Sequence, residues 1–214
     1  LVFWGEDKVR GRVSRAELYR AVAQTAAALP ALGVKKGDRV AAYLPNVPAS
    51  VVAMLATASI GAIWSSASPD FGVQGVLDRF GQIAPKVLVC VDGYWYNGKA
   101  VDCLEKNAEA VAQLPSVEKT VVVGYLSDTP EVANIRNGVR YADFVGAYGA
   151  AEVEFERLPF SHPLFIMFSS GTTGVPKCIV HCAGGALLQH IKEHQLQGDV
   201  HAGDRLFYFT TCGW

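Results

Sequence analysis

Phe168-Ser-Ser-Gly-Thr-Thr-Gly-Val-Pro-Lys177 puts two glycines, four hydroxyl side chains and one lysine into ten residues. Gly171 and Gly174 let the backbone take positive φ and approach a ligand closely. Successive N–H groups in such a turn form a concavity that binds anions. Ser169, Ser170, Thr172 and Thr173 add hydroxyl donors, and Lys177 adds a compact positive charge. The chemistry that this combination supports is phosphate binding.

The spacing is not that of the common nucleoside-triphosphate loop. That loop has a second glycine five residues after the first, followed by Lys and Ser or Thr. Five residues after Gly171 stands Pro176, so a kinase or ATPase of that type is excluded. A surface loop without a ligand has a similar composition, because Gly and Ser are also turn residues. The apolar run Pro163–Met167 before the loop and its Pro176-Lys177 ending favour the phosphate reading.

Other reactive side chains carry less. Cys178, His181 and Cys182 are close in sequence, but a fourth ligand at zinc-like spacing and a CxxC pair are missing, so no metal site is expected. The histidines 162, 181, 190, 194 and 201 show no pairing with Ser or Asp that suggests a hydrolase triad, and His181 reads as a structural residue on or beside a strand. Trp64 and Trp95 read as core aromatics.

The loop needs a scaffold, and the pattern around it supplies one. Ser14-Arg-Ala-Glu17 is a capping box. Leu18, Val22, Ala26 and Leu29 then recur at helical spacing, with Gly33 as the stop. Strands are expected at Arg39–Leu44, Ala62–Ser65, Lys86–Val91, Lys119–Gly124, Pro163–Met167, around Ile179-Val180, and at Arg205–Thr210. Helices are expected at Pro48–Ser59, Val73–Ile83, Lys99–Leu114, around Tyr141–Tyr148, and from Gly185 to about Gln197. Tyr125–Pro159 is otherwise irregular. Strands that are almost wholly apolar and alternate with helices imply an α/β fold, with mostly parallel sheets flanked by helices.

Composition bounds the rest. The chain has 214 residues, half of them hydrophobic, and a formal net charge of −1. That suffices for a sizeable core and disfavours a general nucleic-acid or anionic-membrane binder. No charge occurs between Arg39 and Asp70, but Pro45, Pro48 and Gly61 interrupt that stretch. It reads as strand, turn, helix and strand rather than as a membrane span. Five cysteines at irregular spacing suit a reducing, cytoplasmic setting. The chain starts at Leu1 and stops soon after the apolar run Leu206–Phe209, so a fragment at both ends is expected.

Ser169–Lys177 resembles the phosphate loop of the acyl-adenylate-forming superfamily, which includes acyl-CoA synthetases. Lys177-Cys-Ile-Val-His-Cys-Ala-Gly-Gly185, Val91–Lys99 and Leu187–Trp214 are similar to short-chain members, and the likeness covers essentially the whole chain. The resemblance implies ligation of a short acid to coenzyme A through an acyl-adenylate, with ATP, Mg2+ and coenzyme A taking part. Acetoacetate is the expected acid, and acetate or propionate the alternative. It makes Ser169, Ser170, Gly171, Thr172, Thr173, Gly174 and Lys177 contacts to the ATP phosphates, with Lys177 also catalytic. Lys99 lies where related synthetases carry arginines near the coenzyme A phosphates, although a surface lysine opening a helix is an equal reading. Gly213 and Trp214 fall where the acyl pocket begins. Phe168-Ser169 stands where Tyr-Thr is frequent, Thr172 where Ser is frequent, and Cys178 where Gly is frequent. These departures retain the loop's hydroxyls. The expected organisation is a partial N-terminal domain, with a first α/β subdomain over 1–150, the start of a phosphate-loop subdomain over 160–214, and no C-terminal domain. The family's adenine, ribose and mobile-domain motifs belong beyond Trp214, so the segment alone is expected to be inactive. It could also be a truncated, non-catalytic nucleotide-binding module.

Overall fold

The computed structural model describes residues 1–149, 152–170 and 174–212. Seven strands form its main sheet, and their order differs from their order in the chain. A hairpin, β1 (Val2–Gly5) and β2 (Val9–Arg12), precedes α1 (Arg15–Ala31). The α/β succession then runs β3 (Arg39–Tyr43), α2 (Pro48–Ser59), β4 (Ile63–Ala67), α3 (Val73–Ile83) and β5 (Val87–Val91). A second hairpin, β6 (Gly93–Tyr96) and β7 (Lys99–Asp102), leads to α4 (Leu104–Ala112), β8 (Lys119–Val123), β9 (Gly138–Arg140) and α5 (Tyr141–Gly146). The last elements are β10 (Pro163–Phe168), β11 (Cys178–Cys182), α6 (Ala183–Lys192) and a π-helical turn, Glu193–Gln197.

The sheet order is β11-β10-β4-β3-β5-β8-β9, parallel throughout except where β11 returns antiparallel along β10. The expected α/β architecture is therefore present. Alternation along the strands divides the core. Val40, Ala42, Leu44, Val89 and Val121 pack against α1, α2 and α5. Ala41, Tyr43, Leu88, Cys90 and Val122 pack against α3 and α4. Both faces of the central strands are covered, which is why they read as continuous apolar runs.

The helix signals act as their chemistry dictates. Ser14 Oγ accepts the Glu17 N–H, and Glu17 returns its carboxylate to the Ser14 N–H at 2.7 Å. Pro48 opens α2, where a missing N–H costs nothing.

Three expectations are corrected. Lys99–Leu114 is not one helix, because Lys99–Asp102 pairs with β6 and α4 starts at Leu104. The reason is the Asn97-Gly98 turn, with φ of 51° and 74°, which closes a two-residue hairpin. Arg205–Thr210 is not a strand, and Leu206–Phe209 are 67–92% exposed. An apolar run becomes a strand only when a neighbour takes its backbone hydrogen bonds. Trp95 is not a core residue: it is half-exposed, with the Lys8 ammonium 5.5 Å from its ring centre.

Candidate functional site

β10 and β11 pair closely up to Phe168 opposite Cys178, so the Ser169–Lys177 loop is the connection of an antiparallel hairpin. Its two ends are tied together. The Ser169 N–H donates to the Lys177 carbonyl at 3.0 Å, and the Lys177 N–H donates to Ser169 Oγ at 2.9 Å. Gly174 has φ of 137°, a region that side chains rarely adopt. Pro176 is buried, and Gln82 of α3 donates to its carbonyl at 2.7 Å. Ser170 and Lys177 are exposed, and Ser169 is half-buried. Gly171, Thr172 and Thr173 lie outside the described residues.

Strand order decides at which edge of the sheet this loop emerges. β10 runs parallel to β4, so the loop leaves the sheet at the carboxyl edge of the parallel strands. From β3 the chain passes through α2 to β4 on one side, then crosses through α3 to β5 on the other. This reversal opens a crevice beyond the strand ends, the usual ligand position in such sheets. A cavity of about 430 Å³ lies there, lined by Pro45, Asn46, Ser68, Asp70, Tyr94 and Tyr96 among others. Thr210–Cys212 runs across the same edge: Asn46 donates to the Thr210 carbonyl and Ser66 to the Cys212 carbonyl. Gly213 and Trp214 follow directly but lie outside the described residues.

A second cavity, of about 370 Å³, is bounded by Trp64, Ser66, Phe165, His181, His190 and Cys212 among others. Sequence reading assigned no site role to these residues. Trp64 is buried, as expected of a core aromatic, yet it also lines this cavity. His181 lies on β11 opposite Phe165 and also faces the cavity. Their shared location follows from the β4–β10 pairing and had no local signal. Lys99 opens β7 opposite Tyr96, in the hairpin that covers the first cavity, rather than opening a helix.

Burial raises the Tyr43 hydroxyl and Cys90 thiol well above their ordinary ranges. Burial also raises Tyr94, Cys103 and Cys212. Among the described residues, no group of three or more His, Cys, Asp or Glu side chains could hold a metal ion.

This combination of a doubly wound sheet with a hydroxyl- and glycine-rich loop at its carboxyl edge defines an α/β protein of the kind that takes ligands at its strand ends. Over residues 2–214 the sequence matches the family model described as AMP-binding enzyme, and the chain belongs to that family. It is 57% identical to the acetoacetyl-coenzyme A synthetase of Rhizobium meliloti (strain 1021), over 100% of this chain and 33% of that protein. It is 54% identical to the acetoacetyl-CoA synthetase of Gallus gallus, over 95% of this chain and 31% of that protein. A solved structure, acetoacetyl-CoA synthetase from Streptomyces lividans, superposes with a TM-score of 0.91 at 44% identity, covering 100% of this chain and 32% of the other. The chain thus spans about a third of the length of the curated relatives it matches.

Proposed function

We propose that this chain is the ATP-phosphate-binding part of an acid–CoA ligase that joins acetoacetate to coenzyme A through an acyl-adenylate. The observation that carries the reading is the hydroxyl- and lysine-bearing loop at the carboxyl edge of the parallel strands, the edge at which the strand order reverses. The likeness to acetoacetyl-CoA synthetases along the whole chain supports the choice of acid.

In the first step a carboxylate attacks the α-phosphate of ATP and pyrophosphate leaves. Two anions must approach, so the protein's task is to neutralise charge and hold the groups in line. Ser169, Ser170, Gly171, Thr172, Thr173, Gly174 and Lys177 are assigned to the phosphates, with Lys177 as the main charge. Hydroxyl, amide and ammonium donors suit phosphate oxygens, whereas Mg2+ would enter with ATP and spread the phosphate charge. In the second step the coenzyme A thiol displaces AMP from the acyl group. Lys99 is assigned to the coenzyme A phosphates, and Gly213 and Trp214 to the start of the acyl pocket. The segment is assigned to the opening part of a larger N-terminal domain, with its first subdomain ending near residue 150. Among the described residues no helix is long and apolar enough to cross a membrane. With five free cysteines, a reducing cytoplasm is the assigned compartment.

The test is acid-dependent ATP–pyrophosphate exchange on the longer protein, with acetoacetate, acetate and butyrate compared. Exchange should be fastest with acetoacetate, and Lys177→Ala should lower it by about 10²–10³-fold, as for loss of one preorganised donor. Preference for acetate would overturn the substrate and keep the mechanism. A folded protein that gives no exchange would be a nucleotide-binding module at most.

A further inference from the structure

Glu6 sits in the turn of the β1–β2 hairpin with φ of 51°, a region seldom occupied by residues other than Gly, Asn and Asp. Its carboxylate is bound to the tip of the other hairpin, 91 residues along the chain. Oε1 accepts the Asn97 N–H at 2.6 Å, and Oε2 accepts the Gly98 N–H at 2.8 Å. Asn97 and Gly98 both have positive φ, and their two amides converge on this one carboxylate in the manner of a small anion nest.

The rest of the β1–β2 hairpin is seated to hold Glu6 there. Phe3 meets Tyr125 edge-on, with ring centres 5.9 Å apart. A Cβ on Gly5 would lie 1.8 Å from Tyr125 Oη, so only glycine lets the hairpin rest on that ring without displacing it. Lys8 stacks over Trp95 of β6. Tyr125 is held from below, since its N–H donates to the buried Asp92 at 2.8 Å.

The clamped turn is flanked by Tyr96 and Lys99, which are cross-strand partners. Tyr94 and Tyr96 line the 430 Å³ cavity at the strand reversal. A hairpin of two four-residue strands is marginal by itself, so an unclamped β6–β7 would present Tyr96 and Lys99 in many orientations. A ligand would then have to order them as it binds, at a cost in affinity.

We infer that Glu6 is a positioning residue: by clamping the Asn97-Gly98 turn it sets Tyr96 and Lys99 for coenzyme A. The clamp stands on the geometry alone, while the choice of coenzyme A rests on the ligase reading above.

The experiment compares Glu6→Ala and Glu6→Gln with wild type in the full-length enzyme. Three quantities are read: KM for coenzyme A against kcat, ATP–pyrophosphate exchange, and hydrogen exchange at Asn97 and Gly98. Glu6→Ala should raise KM for coenzyme A by about tenfold, as expected when binding must also order a loop, and leave kcat and pyrophosphate exchange unchanged. Amide exchange at Asn97 and Gly98 should accelerate. Glu6→Gln, whose single acceptor oxygen can serve one of the two amides, should fall between. Unchanged KM with unchanged amide exchange overturns the proposal, as does a parallel fall in kcat and pyrophosphate exchange, which would mark general structural damage. If wild type shows no acid-dependent exchange, the ligase reading and the coenzyme A role fail together. The clamp is then decided by hydrogen exchange, where unchanged rates in Glu6→Ala overturn it.

Discussion

Ser65 Oγ donates to the carbonyl oxygen of Ile166 at 2.7 Å, across the parallel pairing of β4 with β10. The bond is fully buried and lies just before the phosphate loop on β10. Among the described residues two registered positions, Phe165 with Trp64 and Ile166 with Ser65, join these strands, so the side-chain bond reinforces a short seam. Ser65→Ala should lower the unfolding free energy by about 1 kcal/mol, the usual net value of one hydrogen bond. Urea denaturation measures it, and an unchanged midpoint would remove Ser65 from the seam.

Gln82 fastens the far limb of the loop. Its amide donates to the Pro176 carbonyl at 2.7 Å, and the Cys178 thiol lies 3.6 Å from its Oε1. Gln82→Ala removes the tether without touching the groups assigned to phosphate. The expected outcome is a higher KM for ATP in pyrophosphate exchange, by about 3–10-fold, with folding stability within about 1 kcal/mol of wild type. An unaltered KM for ATP would show that the loop holds its shape without the tether.

Asp92 organises the chain beyond β8. Its buried carboxylate accepts the N–H groups of Tyr125 at 2.8 Å, Leu126 at 3.1 Å and Ser127 at 2.9 Å. Asp92→Asn exchanges one acceptor oxygen for a donor that faces other donors. A loss of about 1.5–3 kcal/mol is expected, the range for hydrogen bonds to a charged group. Amides 125–127 should also exchange faster with solvent.

The thiols should separate by burial. Cys178 is exposed, whereas Cys90 and Cys103 are buried, and burial raises the pKa of both. Iodoacetamide near neutral pH should label Cys178 first and reach Cys90 and Cys103 only on unfolding. The same shifts set an alkaline limit on stability. Above the unfolded values, about 8.5 for Cys and about 10 for Tyr, the unfolded chain loses protons that folded Cys90, Cys103 and Tyr43 retain. The native state then holds more protons, so stability is full below pH about 8.5 and falls as pH rises further. Thermal melts between pH 7 and 10.5 would show the decline, and a flat profile would contradict it.

Local signals in the sequence determined most of the scaffold. The Ser14–Glu17 box, Pro48 at the start of α2 and the apolar strand runs act over a few residues, so each could be read where it stands. The loop proposed to bind phosphate stood out for the same reason, because its glycines, hydroxyls and lysine are contiguous. The Asn97-Gly98 turn was also a local signal, and reading Lys99–Leu114 as one helix passed over it. Strand neighbours were not legible, since pairing depends on which edges meet in space. That is why Arg205–Thr210, as apolar as a strand, forms none, and why β11 turns back against β10. Tertiary structure alone brought Glu6 to Asn97, Ser65 to Ile166, and Trp64 together with His181 around one cavity. Such contacts join residues roughly 90 to 120 positions apart, and they exist only because the sheet order folds distant chain segments onto the same carboxyl edge or onto neighbouring strands.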